Sequence, residues 1–163
     1  MSEASALVRF EPRDDGVGVV AMRDVDGKNA MSERFVHELL AALRDAAAWS
    51  ALKVVVLAGT PEIFSSGADV GMLRELVRGG VRPTDIVLAK AVLDVPVPVV
   101  AAMEGHAIGG GLALGAAADI VIIARESRYG ASFMNMGFTP GMGITKLLQH
   151  VMSPAIAAEL LFT

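Results

Sequence analysis

Seven consecutive residues, Gly105 to Gly111 (Gly-His-Ala-Ile-Gly-Gly-Gly), constrain this chain more than any other stretch. The apolar run Val97 to Met103 leads into them and reads as a buried strand. The small-residue segment Leu112 to Ala118 leads out and reads as a buried helix. The three glycines therefore fall at a strand-to-helix turn. Glycine has no Cβ, so a ligand can approach the backbone closely there. The first N–H groups of a helix have no intrahelical acceptor, and the helix dipole makes them partially positive. Such a turn suits an anion or a developing oxyanion. The same glycines also serve a helix that simply packs tightly on a sheet, and a triplet alone leaves both readings open.

The apolar stretch around this turn raises the question of a membrane. Ala107 to Ala124 carries a single charge, Asp119, but it is rich in Gly and Ala and divides into two elements, so a water-soluble core is the expectation. The 163 residues are 53% hydrophobic and 20% charged, which suits one globular domain over 1–163. A net charge of −4 with no basic run argues against nucleic acid. The absence of cysteine excludes disulfides and thiol catalysis and fits a cytoplasmic location. The N-terminus, with Glu3, Arg9 and Glu11, lacks an apolar signal core. No His/Asp/Glu set has metal-ligand spacing, and neither Gly-x-Gly-x-x-Gly nor Gly-Lys-Ser/Thr occurs, so no metal and no separate cofactor is expected.

Leu7 to Phe10 and Val17 to Met22, joined by Asp14-Asp15-Gly16, predict a hairpin. After a polar loop over Asp24 to Ala30, Ser32 is placed to cap a helix whose apolar face is Phe35, Leu39, Leu40, Leu43 and Ala47. Lys53 to Ala58 predicts a buried strand, Gly59 to Gly67 a loop, and Ala68 onward a helix stopped by Gly79-Gly80. Thr84 or Asp85 caps a further helix to about Leu93, ended by Pro96-Val97-Pro98. Asp119 to Ala124 is a strand, with Asp119 capping or pairing at its start, and Ser127 to Gly130 extends the sheet. Ala131 to Gly143 is an irregular loop. Two helices follow, Ile144 to Val151 and one started by Ser153-Pro154, and the second is still running at Thr163, as in a chain truncated at its C-terminus. Ser66-Gly67-Ala68 repeats the arrangement of Gly109-Gly110-Gly111: each follows a strand and precedes a helix. Two such turns aimed at one point would put two backbone donors on one oxygen.

Taken together, Lys28-Asn29-Ala30-Met31, Phe64-Ser65-Ser66-Gly67-Ala68-Asp69, Gly105 to Gly111, Ala118-Asp119-Ile120 and Gly137 to Gly143 resemble the crotonase (enoyl-CoA hydratase/isomerase) superfamily in order and over nearly the whole chain. The resemblance implies an α/β crotonase (ClpP/crotonase-like) fold, a spiral of ββα units. It also implies assembly into homotrimers or hexamers, an acyl-thioester substrate, and C-terminal helices that this chain lacks. It places the two oxyanion-hole N–H groups at Ala68 and Gly110. The substrate-binding set it suggests is Ser66, Gly67, Asp69, Gly109, Gly111, Phe133, Asn135 and Arg78.

The chain departs from hydratases of that family at both carboxylate positions, which here are Ala113 and Phe133. Neither side chain transfers a proton, whereas water addition needs a general acid or base. Decarboxylation of a β-carboxylated or vinylogous acyl thioester needs none to remove a carbon-bound proton. Tyr129 to Gly143 and Met103 to Gly111 are similar to the decarboxylases of polyketide β-branching, which convert 3-methylglutaconyl on an acyl carrier protein to 3-methylcrotonyl. By that resemblance the partner is an acyl carrier protein or coenzyme A, whose phosphopantetheine arm is part of the substrate. Those relatives add a lysine after the first oxyanion residue and a C-terminal histidine. No lysine lies between Ala68 and Gly80, where Arg74 and Arg78 stand, and Lys90 is on the next helix. The alternatives are a hydratase or isomerase with a non-standard acid, and a non-catalytic scaffold of the same fold. Among single residues, His106 reads as structural, Met134, Met136 and Met142 as packing around an acyl pocket, and Ser132 and Asn135 as serving either substrate or their own loop.

Overall fold

A computed structural model describes residues 6–80 and 87–163. The cap expected at Thr84 or Asp85 lies outside the described residues. Strands β1 (Val8–Pro12) and β2 (Val17–Met22) form the antiparallel hairpin the sequence predicts. β2 continues into a parallel sheet with β4 (Val54–Ala58), β7 (Val99–Met103) and β9 (Ile120–Ile123), in the order β1-β2-β4-β7-β9. Each of β2, β4, β7 and β9 is followed by one or two short strands that leave this sheet. β3 (Ala30–Met31) follows β2, and β5 (Ile63–Ser65) and β6 (Gly67–Ala68) follow β4. β8 (His106–Ile108) follows β7, and β10 (Tyr129–Gly130) follows β9. β10-β8-β5 make a second parallel sheet, and β3 pairs with β6.

Helices close the units: α1 (Glu33–Ala48) after β3, α2 (Val70–Arg78) after β6, and α4 (Gly110–Ala116) after β8. α3 (Leu88–Leu93) precedes β7, and α5 (Ile144–Val151) and α6 (Pro154–Phe162) end the chain. The repeat of strand, outlying strand and helix is the expected spiral of ββα units. The Ser32 hydroxyl accepts from the Phe35 N–H (3.3 Å) and starts α1, whose apolar stripe of Phe35, Leu39 and Leu43 is buried. Asp119 pins β9 to its neighbour by accepting from the Val99 N–H (2.8 Å). Every residue of α4 is buried, which is why that helix is all Gly, Ala and Leu. Among the described residues no helix is long and apolar enough to cross a membrane.

Three expectations are corrected. Gly59 to Gly67 is not all loop, because Ile63–Ser65 forms β5 in the second sheet. Tyr129–Gly130 does not extend the main sheet but pairs with β8 in the second. The Tyr129 hydroxyl fixes that departure by donating to the Met103 carbonyl (2.6 Å) and accepting from the Ala124 N–H (2.8 Å). The apolar run Val97 to Met103 does not lead straight into the glycine turn either, since β8 intervenes.

One carboxylate ties α1 to the hairpin. Glu38 accepts from the Leu7 N–H (2.6 Å) and the Val8 N–H (3.0 Å) and pairs with Arg34 (2.7 Å). Burial pushes its carboxyl up, but the Val8 amide, Arg34 and the Leu7 amide outweigh burial and hold it below the ordinary carboxylate range. A depressed native pKa adds stability above the unfolded-state value and loses it as pH falls through the native one. Thermal melts across the acid range are therefore expected to show Glu38→Gln with a lower Tm at neutral pH. The gap to the parent protein should close on acidification, and a constant gap would contradict this account.

Candidate active site

The Ser66-Gly67-Ala68 turn is built around one positive-φ residue. Gly67 has φ +86°, open to glycine without a side-chain clash. The main chain there is pressed against the second turn: a Cβ on Gly67 would stand 2.6 Å from the Ile108 carbonyl oxygen and 3.1 Å from the Gly110 nitrogen. In that second turn Gly109 has φ +54° and ψ −117°, caps α4, and donates its N–H to the Gly130 carbonyl (2.7 Å). Gly110 is the first residue of α4, so its N–H has no acceptor within the helix. The duplication visible in the sequence is thus a spatial meeting of two turns.

A cavity of about 440 Å³ opens where they meet. Ser66, Gly67 and Ala68 line it from one turn and Ile108, Gly109 and Gly110 from the other. The inner face of α2 (Met72, Leu73, Leu76) forms one wall, and Phe133, Phe138 and Met142 belong to another. None of the described lining residues is ionisable. The site therefore offers backbone dipoles in a largely apolar lining, where a developing negative charge on oxygen gains most.

Of the residues expected at the site, Ser66, Gly67, Ala68, Gly109, Gly110 and Phe133 line this cavity. Asp69, Gly111, Asn135 and Arg78 are not among the described lining residues. The Asp69 carboxylate caps α2 by accepting from the Met72 N–H (2.7 Å). Gly111 faces the β5 backbone, Asn135 is exposed on a single 3-10 turn over Met134–Met136, and Arg78 is exposed and paired with Glu75 (3.5 Å). Lys90 pairs on the surface with Asp94, away from the cavity. The His106 imidazole accepts from the Arg128 N–H (3.0 Å) through Nδ1, a structural contact. Ala113 is fully buried inside α4. Met136 and Met142 line the cavity and Met134 does not, although Met134 and Met136 are equally exposed at 48%.

Two residues behind the cavity carry no role in the sequence reading. Asn29 and Ser65 are the buried polar side chains among the described residues, each with 0% exposure. Asn29 also holds φ +48°, uncommon for a residue with a side chain though least so for asparagine. Its amide oxygen accepts from the Asp24 N–H (2.8 Å), and its Nδ2 donates to the Phe64 carbonyl (3.0 Å). Only membership of the motifs Lys28 to Met31 and Phe64 to Asp69 marked these residues beforehand.

The chain belongs to the enoyl-CoA hydratase/isomerase family, whose model matches residues 12–163. It is 41% identical over 142 residues to the bacillaene synthase decarboxylase PksI of Bacillus subtilis, covering 87% of this chain and 57% of that protein. Its fold is that of the ECH2 decarboxylase domain of CurF from Lyngbya majuscula, with a TM-score of 0.88 at 35% identity, over 98% of this chain and 65% of the other. A structure from a dehydratase/decarboxylase enzyme couple involved in polyketide beta-branching superposes with a TM-score of 0.91 at 38% identity, over 95% of this chain and 63% of the other. The chain thus spans less than two thirds of each of these relatives. The α/β crotonase fold expected from the motifs is the observed one.

Proposed function

We propose that this chain carries the catalytic core of a decarboxylase acting on a 3-methylglutaconyl-type acyl thioester, borne by an acyl carrier protein or coenzyme A, in polyketide β-branching. The observation that carries the reading is a cavity lined by two converging backbone turns and by no described ionisable side chain. In this reading the Ala68 and Gly110 N–H groups hold the thioester oxygen. The bond to the departing carboxylate breaks, and its electron pair passes through the conjugated double bond into the thioester carbonyl. Carbon dioxide leaves, and the dienolate is held by the two donors until a proton reaches the γ carbon to give the 3-methylcrotonyl thioester. Phe133 supports the scheme because an apolar wall does not repel the substrate carboxylate and favours its loss as a neutral molecule. The named decarboxylases among its relatives support the same reading. The reading includes a cytoplasmic homotrimer or hexamer, as the family resemblance implies.

The test is intact-mass spectrometry of a carrier protein loaded with 3-methylglutaconyl, incubated with the protein. Loss of carbon dioxide alone is the expected result. A mass change of one water would indicate a hydratase, and an unchanged acyl group would indicate a non-catalytic scaffold.

A further inference from the structure

The Ser65 hydroxyl is shared between two segments. It donates to the Asn29 carbonyl (2.7 Å) and accepts from the Gly67 N–H (3.2 Å). The Ser66 N–H, one residue on, donates to the Lys28 carbonyl (3.1 Å), so the 28–29 segment grips the turn at two points. On its other side Ser65 meets α4. A Cβ on Gly111 would lie 2.2 Å from the Ser65 carbonyl oxygen and 2.8 Å from the Ser65 Cβ. One small, fully buried residue therefore touches the loop below, the turn that presents Ala68, and the helix end that presents Gly110.

We infer that Ser65, anchored by Asn29, is a positioning residue that sets the separation of the Ala68 and Gly110 amides. The inference rests on the oxyanion-hole reading above. Two donors stabilise one oxygen only while both stay within hydrogen-bond reach of it, and misplacement by about 1 Å costs on the order of 100-fold in rate. Asn29 is suited to be the anchor: its left-handed backbone aims its carbonyl at Ser65 while its side chain holds the neighbouring Phe64 carbonyl. Ser65 does not face the substrate, and it acts through the turn.

Ser65→Ala removes one oxygen atom and leaves the space otherwise filled. Two readouts are taken with the intact protein and the carrier used above. The first is kcat and KM for the 3-methylglutaconyl carrier, per mole of folded protein. The second is the vibrational band of a 13C-labelled thioester carbonyl in bound 3-methylcrotonyl carrier, which does not react further. The expected result is a fall in kcat of about 10- to 100-fold with KM within about twofold, because the two amides hold the charged dienolate oxygen much more strongly than the neutral thioester carbonyl. The low-frequency shift of the carbonyl band seen with the parent protein should shrink in parallel. Unchanged kcat, or a lower kcat with the full band shift, overturns the positioning role. Absence of any band shift in the parent protein overturns the oxyanion-hole reading itself. Ser65→Cys, with a weaker donor and acceptor in the same place, gives the same two readouts should Ser65→Ala fail to fold.

Discussion

Gly110→Pro is expected to lose about 100- to 1000-fold in kcat/KM, the usual scale for deleting one oxyanion-hole donor. The substitution suits the fold because Gly110 is the first residue of α4, and it replaces the N–H by a ring carbon that cannot donate. Proline is well tolerated at that position, where the missing N–H has no helical acceptor to lose. A Cβ at Gly110 meets the Met31 sulfur at 3.0 Å and the Met142 sulfur at 3.5 Å, both on flexible side chains. Thermal melting should therefore change little while turnover collapses. Gly110→Ala is the control, since it adds the same Cβ and keeps the N–H, and it is expected to retain most of the activity. The assay is the rate of carbon dioxide loss from the loaded carrier. A folded Gly110→Pro protein working within about tenfold of the parent would remove this amide from the mechanism.

That Gly110 could be singled out from sequence owes much to its neighbours. A buried apolar run, a glycine triplet and an all-small helix leave few arrangements, and the long parallel strands and capped helices were legible for the same reason. The short strands were not. β5 is three residues long, β6 and β10 are two each, and none shows a period. β5 and β10 are strands because β8, some forty residues beyond β5, lies between them and pairs with both, and β6 is one because β3 pairs with it, long-range facts that local pattern does not carry. Asn29 and Ser65 were hidden in another way. Short polar residues in loops usually face water, and only the fold shows that these two are sealed beneath the cavity and fully bonded. Arg78 and Asn135 lie apart from the expected residues that line the cavity. Their chemistry suited a carboxylate or a thioester, but α2 turns Arg78 outward beside Glu75, and the 3-10 turn leaves Asn135 exposed.

Gly111→Ala is expected to destabilise the protein by about 2 to 3 kcal/mol, a fall in Tm of roughly 5 to 10 °C for a chain of this size. Helix propensity alone gives the opposite sign, because alanine is favoured over glycine inside a helix by about 1 kcal/mol. Packing decides here. The new Cβ would stand 2.2 Å from the Ser65 carbonyl oxygen and 2.8 Å from its carbonyl carbon, and these atoms belong to β5 and cannot rotate away. Relief requires α4 and β5 to separate, which also moves Gly110 relative to Ala68, so activity per folded molecule should fall along with stability. The same reasoning separates the three glycines. Gly109 is needed for its backbone conformation, since a Cβ there would meet only the Ser132 hydroxyl at 3.4 Å. In the proposed mechanism Gly110 is needed for its N–H, whereas Gly111 is needed for close approach to β5. Denaturant and thermal melts of the Gly110→Ala and Gly111→Ala proteins make the comparison direct. Equal or higher stability for Gly111→Ala would mean that α4 and β5 are not locked together, and with them the spacing of the two turns.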